Sequence, residues 1–185
     1  GRLVAGLIGG WQLGTIFNVS SGAPLNVSAR NTINRTGTPD IVGKFSRDGD
    51  VAWGSTFGNF FSEQYRRVPD QACANVAANL RLFCTNTAIA DANGNIIMQN
   101  AAPGQLGTLG LRPIYGPGSW DMDANLQKTV RIAEAKSLTI RLDATTIFNH
   151  PTPGIPNVDI NSGTFGEISS KTGNRTLAAQ IRLAF

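Results

Sequence analysis

Hydrophobic and polar residues alternate at both ends of the chain and lose that order between them. In "WQLGTIFNVS" (11–20), Trp11, Leu13, Thr15, Phe17 and Val19 share one face, and Gln12, Gly14, Ile16, Asn18 and Ser20 the other. "SGAP" (21–24) has turn chemistry, and "LNVSA" (25–29) alternates again, with Leu25, Val27 and Ala29 together. A period of two marks a strand with unlike faces, so 11–20 and 25–29 predict a hairpin. Alternation returns at 119–132, where Trp120, Met122, Ala124, Leu126, Val130 and Ile132 share a face with Lys128. Asp121, Asp123, Asn125, Gln127, Thr129 and Arg131 lie opposite. After the short turn "AEAK" (133–136), the run 137–149 puts Leu138, Ile140, Leu142, Ala144, Thr146 and Phe148 on one face. Thr139, Arg141, Asp143, Thr145, Ile147 and Asn149 take the other. In the last run, 176–185, Leu177, Ala179, Ile181, Leu183 and Phe185 alternate with Thr176, Ala178, Gln180, Arg182 and Ala184.

Two long segments interrupt these runs. Residues 30–117 carry recurrent Gly, Asn, Pro and Thr, with short apolar pieces such as "NFF" and "NIIM". "DANGN" (91–95) is a tight turn and a candidate hairpin tip. Residues 150–174 form a second loop. Loops of this length are uncommon inside compact domains and mark function or disorder.

The alternation alone fits a soluble half-buried sheet as well as a sheet with water on one side and lipid on the other. Three features favour lipid. The principal runs exceed the ~5–6 residues typical of soluble strands. Ten residues tilted by about 45° rise roughly 23 Å, close to the ~25 Å apolar band of an outer-membrane barrel. Connections alternate short and long, as barrel turns and outer loops do. Trp11, Trp120, Phe148 and Phe185 sit near strand ends, where interfacial aromatic girdles lie. The expected fold is all-β: about five strands of a transmembrane antiparallel β-barrel, within one domain spanning 1–185. Five strands cannot close a barrel, so the remaining strands lie outside this chain. The opening "GRLVAGLIGGW" reads as mid-sequence, with no signal-peptide layout.

Composition agrees. Only 15% of the residues are charged, Gly is abundant at 21, and no apolar run approaches the ~20 residues of a membrane helix. The formal charge of +4 is scattered, Arg66 and Arg67 being the one adjacent basic pair, so a nucleic-acid stripe is not indicated. Cys73 and Cys84 are too widely spaced for a C-x-x-C site. They read best as a disulfide worth about 2–3 kcal/mol in an oxidising compartment, and otherwise as two unpaired thiols.

Four motifs then coincide in order: "GWQLGTIFNVSSGAPLNV" (10–27), "GPGSWDMDANLQKTV" (116–130), "RLDATTIFNHP" (141–151) and "NRTLAAQIRLAF" (174–185). Together they resemble the C-terminal end of a TonB-dependent outer-membrane receptor, of the subfamily with an N-terminal carboxypeptidase-regulatory-like domain. The match covers roughly the first thirty and last seventy residues. It departs at Asp121 and Asp123, where relatives often keep one acid, and at Thr145 and Thr146, where relatives are commonly aromatic. The resemblance implies strands running down 11–20, up 25–29, down 119–132, up 137–149 and down 176–185, with both long loops outside the cell. It implies that Leu177, Ala179, Ile181, Leu183 and Phe185 form the signal read by the barrel-assembly machinery. It also implies a plug and a TonB-contacting segment in an N-terminal part beyond this chain, and uptake of a scarce nutrient, a siderophore, oligosaccharide or similar small molecule.

Asp121, Asp123, Arg131, Arg141, Asp143 and Arg182 are expected to face the lumen, either gripping a plug and guiding solute or pairing across neighbouring strands. Lys128 is expected on the lipid face, snorkelling toward a rim. Phe45, Trp53, Phe57, Phe60, Phe61, Tyr65 and Phe83 in the long loop either contact ligand or cluster to hold the loop. His150 reads as a turn residue, "SRDGD" (46–50) as a turn, and "DANGN" lacks the full calcium-loop spacing. No catalytic constellation, cofactor or metal set stands out, so no enzyme is expected. The alternatives are a secreted or surface β-rich adhesion or carbohydrate-binding module, and a passive porin.

Overall fold

A computed structural model describes residues 8–30, 37–47, 49–61 and 64–185. Most of the apolar opening run and Asp48 of the "SRDGD" turn lie outside the described residues. Seven described strands have four or more residues: β1 (Trp11–Ser20), β2 (Tyr65–Pro69), β3 (Thr87–Asp91), β4 (Ile96–Gln99), β5 (Ser119–Ala133), β6 (Lys136–Thr145) and β7 (Thr176–Ala184). The chain divides into two compact units. One holds the described residues up to Ser20, with Ser119–Thr152 and Lys171–Phe185; the other holds Ser21–Gly118 and Pro153–Ser170.

The first unit is an antiparallel sheet of four strands in the order β1-β5-β6-β7. Its register sorts side chains by row, with Lys128 among apolar neighbours and Ile16 opposite Asp123 as exceptions. Leu13, Leu126, Leu142 and Ala179 stand side by side, as do Thr15, Ala124, Ala144 and Leu177. On the opposite face Gln12, Gln127, Arg141 and Gln180 form one row. Because side chains alternate with period two, a slip of one residue anywhere would mix the two sets. A two-residue turn, Glu134–Ala135, joins β5 to β6, with Ala133 opposite Lys136. β6 ends at Thr145 because Thr146 (φ 47°) and Asn149 (φ 51°) adopt left-handed backbone. That conformation is costly for a β-branched threonine. Thr146 is held there as its N–H donates to Asp123 Oδ1 at 2.9 Å and its carbonyl accepts from Asn149 N at 2.8 Å.

Three sequence expectations change here. Residues 25–29 are not a membrane strand: only Pro24–Leu25 is extended, paired with Ile114–Tyr115 in the second unit. Its alternation is genuine, but protein core covers it, since Leu25, Val27 and Ala29 are buried in that unit. A period of two reports that one face is covered, not what covers it. β1 therefore pairs directly with β5 and runs antiparallel to it, which reverses the expected direction of 11–20. Finally, the strand expected over 137–149 stops at Thr145, leaving Phe148 outside it.

The second unit replaces the irregular loop expected over 30–117. β2, β3 and β4 pair with Asp40–Ile41 in a four-stranded sheet, and "DANGN" is the β3–β4 hairpin tip. A smaller sheet joins Glu167–Ile168, Gly58–Asn59 and Ala52–Trp53, so the segment after β6 packs into the same unit. Leu25, Phe60, Ile89, Met98, Ile114, Ile160 and Ile168 lie in one buried cluster. Each such side chain stabilises the unit by roughly 1.5–3 kcal/mol. The core draws on scattered pieces of sequence, none of them periodic for more than a few residues.

Candidate functional site

The four-stranded wall carries most of the residues singled out from sequence. Asp121, Asp123, Arg131, Arg141, Asp143 and Arg182 all fall on the polar face. Asn18 Nδ2 donates to Asp121 Oδ1 at 3.0 Å across the β1–β5 pair. Arg141 grips Asp143 with Nε on both carboxylate oxygens at 2.9 Å and Nη2 on Oδ1 at 2.8 Å. That pair is two residues apart on one strand, so it is not the cross-strand pairing expected. Asp123 spends its carboxylate on the Thr146 backbone. Toward the Glu134–Ala135 turn, Arg131 stands opposite Ser137, and Arg182 opposite Thr139. Thr139 and Thr129 hydroxyls meet at 3.0 Å. This face offers donors and acceptors along its length.

The other face is apolar and open. Leu13 is 70% exposed, Leu177 70% and Ile181 73%. In water such a continuous sheet face would be a large exposed hydrophobic patch. Lys128 lies on this face as expected, but buried, with its Nζ 5.1 Å from the ring centroid of its cross-strand neighbour Trp11. At the opposite end of the sheet Trp120 makes a ring cluster. His150 stacks on it at 4.3 Å, and Phe148 and Phe17 lie 5.9 Å and 6.3 Å away. Trp11 and Trp120 therefore mark the two ends of the apolar face.

β1 and β7 are the edges of this sheet, and it does not close. Leu177, Ala179, Ile181 and Leu183 of β7 share the apolar face, and Phe185 follows, 91% exposed. Backbone groups on an edge facing hydrocarbon cost several kcal/mol each if unpaired, so such a wall requires neighbouring strands on both sides.

In the loop unit, Cys73 and Cys84 form a disulfide. Of the loop aromatics, Phe45, Phe60, Phe61 and Tyr65 cluster with Phe165 and hold the unit together. Trp53, Phe57 and Phe83 stay exposed. Sequence reading missed a buried polar network. Asp70 Oδ2 accepts from both Asn100 N and Asn100 Nδ2 at 2.8 Å, while its Oδ1 caps the helix Gln71–Ala74 through Ala72 N. Asn161 Nδ2 donates to Asn100 Oδ1 at 2.7 Å, and Asn161 Oδ1 accepts from Thr87 N. Only Asp70, directly before a short helix, had a sequence signal, that of an N-cap. Among the described residues no group of three or more His, Cys, Asp or Glu is placed to hold a metal ion.

The sequence matches the family model of an outer membrane beta barrel domain over residues 1–178. No curated protein matches the chain, and no solved structure does. Barrels of this kind turn an apolar face to lipid and a polar face to the interior, which is the kind of sorting this wall shows. The match displaces the secreted-module alternative, because a wall of this kind is built for a bilayer. From the sorted faces and the family match together, the chain belongs to the outer membrane β-barrel domain family, and its place is the bacterial outer membrane.

Proposed function

We propose that this chain is part of a TonB-dependent receptor that captures a scarce nutrient outside the cell and imports it with energy delivered through TonB. The observation that carries this reading is the unit built from Ser21–Gly118 and Pro153–Ser170. It gives these outer connections a hydrophobic core and a disulfide of their own. A passive pore needs no such investment in outer loops, whereas a receptor needs a shaped surface for solute. The ordered "GWQL", "SGAP", "GPGSW" and "FNHP" motifs support the same reading. In it the polar face of the wall, with the Arg141–Asp143 pair and Arg131 and Arg182, lines the interior against a plug, and β7 with Phe185 is read by the barrel-assembly machinery.

The test uses the full-length protein in nanodiscs and the purified C-terminal periplasmic domain of TonB. The expected result is saturable binding of that domain, and no steady conductance when the protein is placed in planar bilayers. Stable open-channel conductance without TonB binding would instead make it a passive porin.

A further inference from the structure

We propose that the cleft beside the disulfide in the loop unit binds a neutral oligosaccharide. The cleft encloses about 530 Å³, within the range of small-ligand sites. Its lining has an unusual concentration of one functional group. Gln71, Asn75, Asn86 and Gln99 line it, the first two exposed and the other two half-buried. None of the four makes a side-chain hydrogen bond among the described residues. Each amide offers two donors and an acceptor with two lone pairs. A sugar hydroxyl both donates and accepts, so an amide pairs with two adjacent hydroxyls at once. Four idle amides around one cavity match a ring edge bearing several hydroxyls.

The remaining lining narrows the ligand further. Asp40 and Asp70 are its charged residues, and it contains no Lys, Arg or His. An anionic ligand such as a phosphate, a carboxylate-bearing chelate or an acidic sugar would meet two carboxylates and no cation. Aromatic residues are absent too, so an aryl ring gains no stacking partner. Ala101, Ala102 and Pro103 supply a small apolar surface for the C–H face of a pyranose.

The cavity is also held in shape. Asp70 is 3% exposed and fixes Asn100 through both its backbone and side-chain N–H, while capping the helix that carries Gln71. Cys84 lines the cleft and is tied to Cys73 at the end of that helix. Rigid walls lower the ordering cost of binding. The site thus has the preorganisation expected of a binding cleft, and its chemistry suits a ligand that is polar and uncharged.

Binding at the cleft stands apart from energised uptake; only the role of the sugar as cargo rests on the function proposed above. The experiment presents the full-length protein, in nanodiscs, to an array of neutral and acidic oligosaccharides. The bound members are then titrated by calorimetry. Neutral glycans are expected to bind and uronic-acid or sulfated ones of equal length to fail. Gln71→Ala and Gln99→Ala are each expected to weaken binding several-fold, and Asn75→Trp, which fills the cavity, to abolish it. The thermal unfolding midpoint of each variant reports that it is folded. Binding confined to acidic glycans, binding to none of the array, or unchanged affinity in folded Asn75→Trp would overturn the proposal. Loss of TonB binding with glycan binding intact would overturn the receptor reading and leave the cleft standing.

Discussion

Gly22 and Gly116 pack backbone against backbone: a Cβ added to Gly22 would overlap the carbonyl of Gly116. The two lie in "SGAP" and "GPG", segments almost a hundred residues apart in the sequence. Gly116 N donates to Ala23 O at 2.8 Å, and Pro24 and Leu25 pair with Tyr115 and Ile114. The contact requires glycine for its missing side chain, since the obstacle is backbone and cannot rotate away. Gly22→Val is therefore expected to destabilise the loop unit by at least the ~1–3 kcal/mol typical of overpacking. Gly110→Ala, where a Cβ meets nothing within 4 Å, serves as the neutral control. Thermal unfolding of the two variants in detergent checks this, with equal midpoints the outcome that would refute it.

Reduction should act on the same unit. The Cys73–Cys84 bond closes a loop with a sequence separation of 11, for which chain entropy suggests about 2–3 kcal/mol. The loop presents Leu82 and Phe83 at 90% and 79% exposure, so it has little packing of its own to fall back on. With dithiothreitol, or in a Cys73→Ser and Cys84→Ser double variant, chymotrypsin is expected to cut at Leu82 or Phe83 many times faster. Cutting within the membrane wall should not change. Equal cleavage rates at the loop, oxidised and reduced, would show that the bond does not order it.

The wall was legible in the sequence, and the loop unit was not, for a physical reason. β5, β6 and β7 keep one face toward lipid, so period two runs along Ser119–Ala133, Lys136–Thr145 and Thr176–Ala184. Lys128 broke that pattern and was still placed correctly by register. The loop unit instead gathers Val27, Phe60, Ile89, Met98 and Ile160 from distant short pieces, each too brief to show a period. The same weakness misplaced 25–29: five alternating residues could not distinguish a lipid face from a protein core. No pattern in the sequence marks Asn100 or Asn161, and their partnership exists only in three dimensions.

The buried network makes a sharper demand than the surface polar groups. Asp70→Ala would leave the backbone N–H of Asn100 without its acceptor, while the Asn100 side-chain amide keeps Thr87 O and Asn161 Oδ1, and would uncap the helix at Gln71. Unsatisfied buried donors cost about 1–3 kcal/mol, and a lost cap roughly another 1 kcal/mol. Asn86→Ala, which removes a side chain with no hydrogen bond among the described residues, should cost far less. Urea titrations of the two variants, followed by a probe in the loop unit, measure the difference. A smaller loss for Asp70→Ala than for Asn86→Ala would contradict the network's role.

Acid should loosen the β3–β4 hairpin tip. Asp91 is held below its usual value of 3.8, chiefly because Asn95 donates from its side chain and then from its backbone, with Asn93 and Gly94 adding further backbone donors. A carboxyl with a depressed folded pKa contributes stability above the unfolded value, and that contribution is lost as pH falls through the folded value. Protection of the amides of Asn93 and Asn95 is thus expected to be full above about pH 4 and to fall below it. Asp91→Ala should lack this protection throughout. Hydrogen exchange across residues 88–98, corrected for intrinsic rates, reads it out. Protection in the native protein that stays flat from neutral to strongly acid pH would show that the carboxylate is not what holds the turn.

The sorting of the wall makes the strongest demand on the bilayer reading. Leu142 stands between Leu126 and Ala179 on the apolar face, and Asn125 stands between Gly14 and Asp143 on the polar face. Arginine placed on the lipid face near the membrane midplane costs about 2–4 kcal/mol, while the interior face tolerates charge. Leu142→Arg is expected to lower the amount of folded protein in the outer membrane several-fold. Asn125→Arg, facing Asp143 across the strand pair, is expected to assemble at close to the native level. Heat-modifiable migration on gels of outer-membrane fractions separates folded from unfolded protein for both. The two substitutions add the same side chain and the same charge one register row apart. Equal assembly of the two would mean that the faces do not meet different solvents, and a clear deficit for Asn125→Arg alone would mean that they are exchanged.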